Sequence, residues 1–348
     1  MRTTLLLLAL TTGCFFGDGP EVFDPGGGPA TRPDAGAVVD ASAPVPVDAC
    51  TFGCWAAVEL GSTFPFGTGT EYRVGAEHAG TGAVVYETSD AAIADVAGVE
   101  VSGSLRRVRV RGNRAGTTTL IARHGDTDEI LDTTPLTVVD VATVELAFRS
   151  GPGLDAPVAG LAALAGTTDA FAIIYRDADG ERLSGRGGFA TTGAITIEPA
   201  APFRPSDLFA GGAHARVAVT VSGSGTLTAT LANDARSFAW PIDVVAAPST
   251  ISLVPMWLDA NSQLSPLPSG GVKVGSYLAV DVIGRTSGGR FVAGVEARWS
   301  APAALTPSFT STTMAESEAV YRAASAGTHT VSALVGATTY TQQVLVVP

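Results

Sequence analysis

The chain repeats one block of sequence three times: AGTTTLIA at residues 115–122, SGTLTA at residues 224–229 and AGTHTVSA at residues 326–333. In each copy a glycine opens a run that alternates small and β-branched residues, which predicts a turn followed by a β-strand. A second run rich in β-formers follows each block: LTVV at 136–139, IDVV at 242–245 and VLVV at 344–347. Gly116, Gly225 and Gly327 lie 109 and then 102 residues apart, which is about one β-sandwich domain per copy.

A large aromatic residue precedes the glycine of each block by 28 to 36 residues: Tyr86, Phe189 and Trp299. An aromatic side chain buries a large apolar area in a small core. We therefore expect these three residues to fill the space between the two sheets of each sandwich, with Trp299 the most buried aromatic of the third.

The first copy resembles a known family. Residues 110–122, together with 86–96, are similar to the bacterial Ig-like domains of group 2, and the resemblance covers roughly residues 57–140. It weakens to a general immunoglobulin-like plan in the second and third copies. The resemblance implies a β-sandwich found in bacterial surface proteins as a spacer or contact module. That family carries no catalytic residues, so the resemblance assigns none here.

The sequence thus predicts an all-β chain with three tandem immunoglobulin-like β-sandwich domains, at residues 49–141, 142–247 and 248–348. The connections at 140–142 and 246–249 are short, and the second contains Pro248. Short joints with a proline favour an end-to-end rod over a collapsed globule.

The N-terminus is read as a targeting segment. Residues 1–13 combine Arg2, the apolar run Leu5–Leu10 and small residues, which predicts a signal peptide. The glycine before Cys14 resembles the lipobox of bacterial lipoproteins, although Thr11 stands where that family has an aliphatic residue. The resemblance implies that Cys14 is acylated and anchors the protein to a membrane, in the cell envelope and by analogy at the outer membrane, facing the periplasm or the exterior. The alternative is a plain secretory signal.

Residues 14–48 are rich in Pro, Gly, Ala and Asp and have no hydrophobic period. This composition predicts a disordered tether, which spans ~100 Å when fully extended. The sequence therefore predicts an anchor, a tether and three folded domains.

Charge and missing motifs limit the function. The formal net charge is −12, with 33 acidic against 21 basic residues, so the chain repels phosphate backbones and is not expected to bind nucleic acid. A loose dinucleotide pattern at 185–190 precedes a strand-like run instead of the helix that such a site needs. No nucleophile elbow or phosphate-binding loop occurs in the sequence. We expect neither an enzyme nor a cofactor.

Two other groups of residues have alternative interpretations. Cys50 and Cys54 form an even pair in an oxidising compartment, which predicts a disulfide, while a zinc site would need further ligands that the nearby sequence lacks. Asp177 and Asp179 resemble the start of a calcium loop, but Gly188 stands where the closing glutamate belongs, so a strand-joining turn is favoured.

An arginine stripe is the one feature that hints at a ligand. Side chains alternate along a strand, so Arg107, Arg109 and Arg111 would point outward while Val108 and Val110 face the core. Such a row suits carboxylates or phosphates, for example those of an acidic surface glycan. The alternative is a solvated face neutralised by cross-strand acids such as Asp126, Asp128 or Glu129.

These observations favour a non-enzymatic, envelope-anchored spacer, adhesion or interaction module. Its expected partners are the membrane, through the lipid, and a surface glycan or another envelope protein. The alternatives are a structural component of an envelope complex and a carbohydrate-binding accessory of an enzyme system.

Overall fold

The computed structural model describes residues 58–61, 63–78, 82–103, 105–149, 153–198, 215–232, 234–258, 264–308 and 316–348. Within these ranges every regular element is a β-strand. The strands fall into three successive groups, which we call the first, second and third modules.

The first module is a sandwich of two four-stranded sheets. Its strands are β1 (Val58–Leu60), β2 (Phe66–Gly67), β3 (Glu71–His78), β4 (Val84–Thr88), β5 (Ala94–Ser102), β6 (Leu105–Gly112), β7 (Gly116–His124) and β8 (Ile130–Val139). One sheet has the order β1-β3-β6-β5 and the other the order β2-β8-β7-β4. Neighbouring strands are antiparallel, except that the short β2 runs parallel to β8. This division of strands is that of immunoglobulin-like sandwiches.

The second module has the same plan with fewer, longer strands. They are β9 (Thr143–Ala147), β10 (Leu161–Leu164), β11 (Thr167–Arg176), β12 (Arg182–Leu183), β13 (Gly188–Glu198), β14 (Ala215–Thr230) and β15 (Ser237–Val245). The first part of β14 pairs with β11, and its last part pairs with β15, so one strand serves both sheets. β13 follows β14 along its length, with a register shift between Gly193 and Ile195.

The third module repeats the first. Its strands are β16 (Thr250–Leu258), β17 (Leu264–Pro266), β18 (Val272–Lys273), β19 (Tyr277–Arg285), β20 (Phe291–Ala293), β21 (Arg298–Ser300), β22 (Leu305–Pro307), β23 (Glu318–Ala323), β24 (Gly327–Val335) and β25 (Thr338–Val347). One sheet contains β16, β19, β23 and β22, and the other has the order β18-β25-β24-β21. The two-residue β18 runs parallel to β25, as β2 does to β8.

The fold class predicted from the sequence is confirmed, because the chain is all-β and its sandwiches have immunoglobulin-like strand order. The three predicted aromatic residues occupy equivalent positions. Each lies on the strand that pairs with the repeated block, directly opposite an alanine of that block: Tyr86 opposite Ala122, Phe189 opposite Ala229, and Trp299 opposite Ala333. The small alanine leaves room for the ring beside it.

Two details differ from the sequence-based expectations. Gly225 lies inside β14, so the second copy of the block is not preceded by a turn. Trp299 is buried, with 3% of its surface exposed, but Tyr321 of the same module is buried further, at 1%. The expectation that Trp299 is the most buried aromatic of this module is therefore wrong.

The predicted domain boundaries, after residues 141 and 247, fall between β8 and β9 and between β15 and β16. The sheets do not stop at the second boundary. One 13-stranded sheet runs from the second module into the third, because β10 lies between β15 and β20 and is parallel to both. The domain bounds of 49–141, 142–247 and 248–348 stay a prediction.

Candidate functional site

The arginine stripe lies on β6 with the alternation expected from the sequence. Val108 and Val110 are fully buried, while Arg107, Arg109 and Arg111 lie on the outer face. The predicted alternation of buried valines and outward arginines on β6 is thus present in the structure. Whether this face binds a ligand depends in part on whether its arginines are already paired with acids of the same sheet.

Acids from both neighbouring strands reach the stripe. Arg109 lies 3.2 Å from Glu71 on β3 and 3.7 Å from Glu100 on β5, and Arg111 lies 3.5 Å from Glu71. Arg107 makes no ion pair within the described part of the chain, and it stands opposite Gly75 on one side and Glu100 on the other. The side chains in these pairs are 35 to 44% exposed, so each pair contributes about 1 kcal/mol or less.

The acids named from the sequence are not the ones that lie here. Asp126, Asp128 and Glu129 belong to the turn and strand end between β7 and β8, in the opposite sheet. Asp128 lies 3.8 Å from Arg123 instead. The sequence could not identify Glu71 and Glu100, because the strand neighbours of β6 are set by the order of strands in the sheet.

The joint between the first and second modules is built by backbone atoms. Ser184 forms a parallel bridge with Phe66, and the N–H of Gly67 donates to the Ser184 carbonyl at 3.2 Å. Beyond this bridge Glu71 and Arg186 exchange two hydrogen bonds of 2.8 and 2.9 Å. The loop between β11 and β13 is thus held as an additional strand segment on the first module.

Arg236 adds side-chain contacts to this joint. Its guanidinium donates to the carbonyls of Val141 and Ala142 at 2.7 and 3.1 Å, so it holds the connecting segment from the second module. The side chain is 48% exposed and also pairs with Asp234. Water competes for the exposed Ala142 carbonyl, whereas the bond to the Val141 carbonyl is partly buried.

The joint between the second and third modules repeats the bridge and adds an apolar contact. Ala163 of β10 pairs in parallel with Ala293 of β20, as Phe66 does with Ser184. Next to this bridge the rings of Phe148 and Phe291 stack in parallel with their centroids 4.7 Å apart. Residues of both modules therefore share one hydrophobic core.

A buried charge network lies in the second joint. Arg149, with 3% of its side chain exposed, is 3.3 Å from Asp281 of the third module and 3.8 Å from Asp169 of its own module. Asp169 also accepts a hydrogen bond from the Gly294 N–H, which follows the bridging Ala293, at 3.1 Å. Glu318, buried as well, stands directly opposite Asp281 on the neighbouring strand. Separating the buried Arg149 from Asp169 and Asp281 would leave buried charges unpaired by each other, which is costly, so these ion pairs tie the two modules to each other.

Sequence reasoning missed Arg149. It is a lone arginine after a phenylalanine at the end of β9, and nothing in the local pattern marks it as buried. Its partners Asp169 and Asp281 are 20 and 132 residues further along the chain, so only the tertiary structure brings them together.

The end of the first module that faces away from the second contains a histidine next to an arginine. Arg106 approaches His78 to 3.4 Å, and its charge also acts on the buried Tyr86. Burial lowers the pKa of His78 below its ordinary value of 6.5, and the positive charge of Arg106 lowers it further. His78 is therefore held in its neutral form over most of the physiological range.

The remaining predicted sites have simple outcomes. Cys14, Cys50 and Cys54 lie outside the described residues, so the lipid anchor and the disulfide stay predictions. Asp177 accepts hydrogen bonds from the backbone of Asp179 and Glu181 at 3.0 and 2.8 Å, which is the geometry of a turn. Nowhere in the described ranges do three or more His, Cys, Asp or Glu side chains come together in a way that could hold a metal ion.

No helix among the described residues is long and apolar enough to cross a membrane.

Comparison with known proteins gives only general likenesses. No protein-family model matches the sequence, and no curated protein is significantly similar to it. Among solved structures, domains 4–9 of the surface layer protein SbsC align at 15% identity and a TM-score of 0.34, over 76% of this chain and 39% of that one. The Escherichia coli adhesin FdeC aligns at 14% identity and a TM-score of 0.23, over 85% of this chain and 98% of that one.

Invasin, a bacterial integrin-binding protein, aligns at 9% identity and a TM-score of 0.22, over 83% of this chain and 58% of that one. The chain thus spans well under half the length of the first of these structures.

Proposed function

We propose that this chain is a non-enzymatic envelope lipoprotein whose three modules form a stiff spacer that carries an interaction surface away from the membrane. The observation that carries this proposal is the pair of joints. A flexible array would connect its modules by linkers alone, whereas here each module pairs its backbone with the preceding one.

The direction of the chain supports the same function. β1 enters the first module beside His78, at the end that faces away from the second module. A tether attached through Cys14 would therefore hold the first module nearest the membrane. The third module would then be the most distant.

Two measurements on cells test this proposal. Cys14→Ser should move the protein from the membrane fraction to the soluble fraction without changing its strand content, because a buried acyl chain contributes ~0.8 kcal/mol per CH₂ to anchoring. Retention of the variant on membranes would show that the anchor lies elsewhere. Protease added to intact cells should remove the modules while a periplasmic marker survives, and survival of the modules would place them inside the envelope.

The arginine stripe carries a second, weaker hypothesis: that the first module binds an anionic surface polymer. Arg107 is the stripe residue with no ion pair among the described residues, whereas Arg109 and Arg111 have theirs. Any binding should therefore be weak and lost at moderate salt. The test compares the elution of the native chain from an anionic glycan column with that of a variant carrying Arg107→Ser, Arg109→Ser and Arg111→Ser. Equal elution at low salt would eliminate this hypothesis.

A further inference from the structure

Both joints use the same ledge on the preceding module. It consists of the short strand β2 or β10, a glycine with positive φ, and the hydroxyl residue after that glycine. In the first module the glycine is Gly69 (φ 72°), whose N–H donates to the Gly112 carbonyl at 2.7 Å. In the second module it is Gly166 (φ 77°), whose N–H donates to the Val221 carbonyl at 2.8 Å.

The incoming loop is also the same in both joints. It places an extended residue beside the one that lies three positions before the ledge glycine, Ser184 beside Phe66 and Ala293 beside Ala163. A glycine with positive φ follows, Gly185 (φ 108°) or Gly294 (φ 78°).

This incoming glycine lies directly on the hydroxyl residue of the ledge. A Cβ on Gly185 would collide with the side chain of Thr70, and a Cβ on Gly294 would collide with that of Thr167. Both threonines follow the ledge glycine immediately. The two joints therefore share the parallel bridge and the threonine of the ledge. In both, the incoming residue must be glycine because its φ is positive and the threonine leaves no room for a Cβ.

The third module has the same ledge. Gly275 has a φ of 92° and donates its N–H to the Ala323 carbonyl at 2.7 Å, as Gly69 does to Gly112. Val272 lies three positions before Gly275, and Ser276 supplies the hydroxyl after it. The neighbouring bonds agree as well, since the Val274 N–H donates to the Val347 carbonyl at 2.9 Å and the Thr68 N–H to the Val139 carbonyl at 2.9 Å.

This third ledge is uncovered in the described chain. β18 is the edge strand of its sheet, whereas β10 lies between two strands. Val274 is 43% exposed, Lys273 is exposed and Ser276 is half-buried, whereas Thr70 of the first ledge is fully buried. An edge strand with an exposed apolar residue is suited to pair with an added strand.

We propose that the ledge of residues 272–277 is a docking site for a loop of a partner protein: an extended residue that pairs in parallel beside Val272, followed by a glycine with positive φ that lies on Ser276. This goes beyond the spacer function by naming the surface that the spacer presents and the backbone chemistry of its partner.

Among the described residues, a second copy of this chain offers no free loop of this kind. Its two docking loops lie between β11 and β13 and between β19 and β21, where 11 and 12 residues connect the strands, and both are used within the chain. Only five residues connect β3 to β4 in the first module. We therefore take a different protein as the partner.

The ledge can be tested in the full chain by using the docking loop between β19 and β21 as the probe. A second copy of residues 246–348 is appended after Val347. Val347 pairs with Lys273 in the third module as Val245 pairs with Leu164 in the second, so Val347 is the position equivalent to Val245. The segment that connects the appended module therefore keeps its native length. The appended module should dock. The Lys273 amide, which is the counterpart of the Gly67 amide, should then exchange with solvent at roughly one tenth of its rate in the native chain, or more slowly still.

Two matched controls make the result specific. Gly294→Ala in the appended copy alone should restore fast exchange, because the added Cβ collides with Ser276. Lys273→Pro in the ledge should also abolish docking, because it removes the donor, and an edge strand tolerates proline. Unchanged exchange of Lys273 in the extended chain, or protection that survives both controls, would overturn the proposal. Sedimentation of the native chain as a dimer with Lys273 protected would also overturn it, by making a second copy the occupant.

Discussion

The two joints of this molecule start from the same backbone bridge and differ in what surrounds it. The first joint, at Ser184, is completed by hydrogen bonds between backbone atoms and by the half-exposed Arg236. The second, at Ala293, is completed by a continuous sheet, a pair of stacked phenylalanines and the buried Arg149.

This difference shows that the arrangement of two neighbouring modules and the stability of the joint between them have different structural causes. The bridge and its glycine set how one module meets the next, and they are the same in both places. The free energy that holds a joint closed comes from what is buried beside the bridge. In the second joint this is a pair of stacked rings and a desolvated charge network, and in the first it is the backbone bridge with the apolar contact of Val139 and Val141 against the core of the second module. We therefore expect the second joint to open less readily than the first.

The largest effect should follow from Arg149→Ala. This change removes from Asp169 and Asp281 the buried cation that lies beside both, which costs about 3–5 kcal/mol of unfolding free energy. Urea unfolding measures the loss, and Arg176→Ala, which removes the partly exposed pair with Glu145, is the matched control at about 1 kcal/mol or less. Adding Asp281→Asn to Arg149→Ala should recover part of the loss, and strictly additive losses would contradict the network.

Glycine substitutions compare the two bridges directly. Gly294→Ala and Gly185→Ala each force a left-handed backbone on alanine and collide with a threonine, so each should destabilise its own joint by about 1–3 kcal/mol. Amide exchange near each bridge reports which joint opens. Gly289→Ala, at φ 82° in the third module with nothing near its Cβ, isolates the backbone strain from the collision. Equal effects of Gly294→Ala and Gly289→Ala would mean that the contact with Thr167 contributes nothing.

A smaller effect is expected for Arg236→Ala. It removes two hydrogen bonds to the segment that connects the first two modules, one exposed and one partly buried, at a cost of about 1 kcal/mol. The loss should increase amide exchange at the first joint and leave the second unchanged. Faster exchange at both joints would mean that the two are coupled.

The smallest effect concerns the first module's free end. The folded protein holds the pKa of His78 below 6.5, so the unfolded chain takes up the proton first as the pH falls. This contribution to stability is complete above pH 6.5 and is lost as the pH falls through the lower, folded value. His78→Gln should flatten the stability profile in this range, and Arg106→Gln should flatten it in part. If the unfolding free energy of both variants depends on pH as that of the native chain does, His78 does not contribute to the pH dependence of stability.

Much of the fold could be predicted from the sequence, because alternation and turn residues act locally. The strands of the repeated block and the outward arginines follow from period-two patterns, and the three aromatic residues are identified by their recurring distance from the block. The joints did not follow. The segment around Gly185 is part of a glycine-rich loop whose partner Thr70 lies 115 residues earlier, and Arg149 has no local sign of burial. Contacts between modules depend on the order of strands, which a local pattern does not contain.

The central claim is that the three modules form one stiff body, and amide residual dipolar couplings of the full chain test it most directly. Couplings are measured in a weakly aligning medium and fitted separately for the residues of each module. The account predicts that a single alignment tensor fits all three modules, and that Gly185→Ala separates the tensor of the first module from the shared tensor of the other two. Three tensors of different magnitude in the native chain would show that the modules reorient independently, and would contradict a stiff spacer.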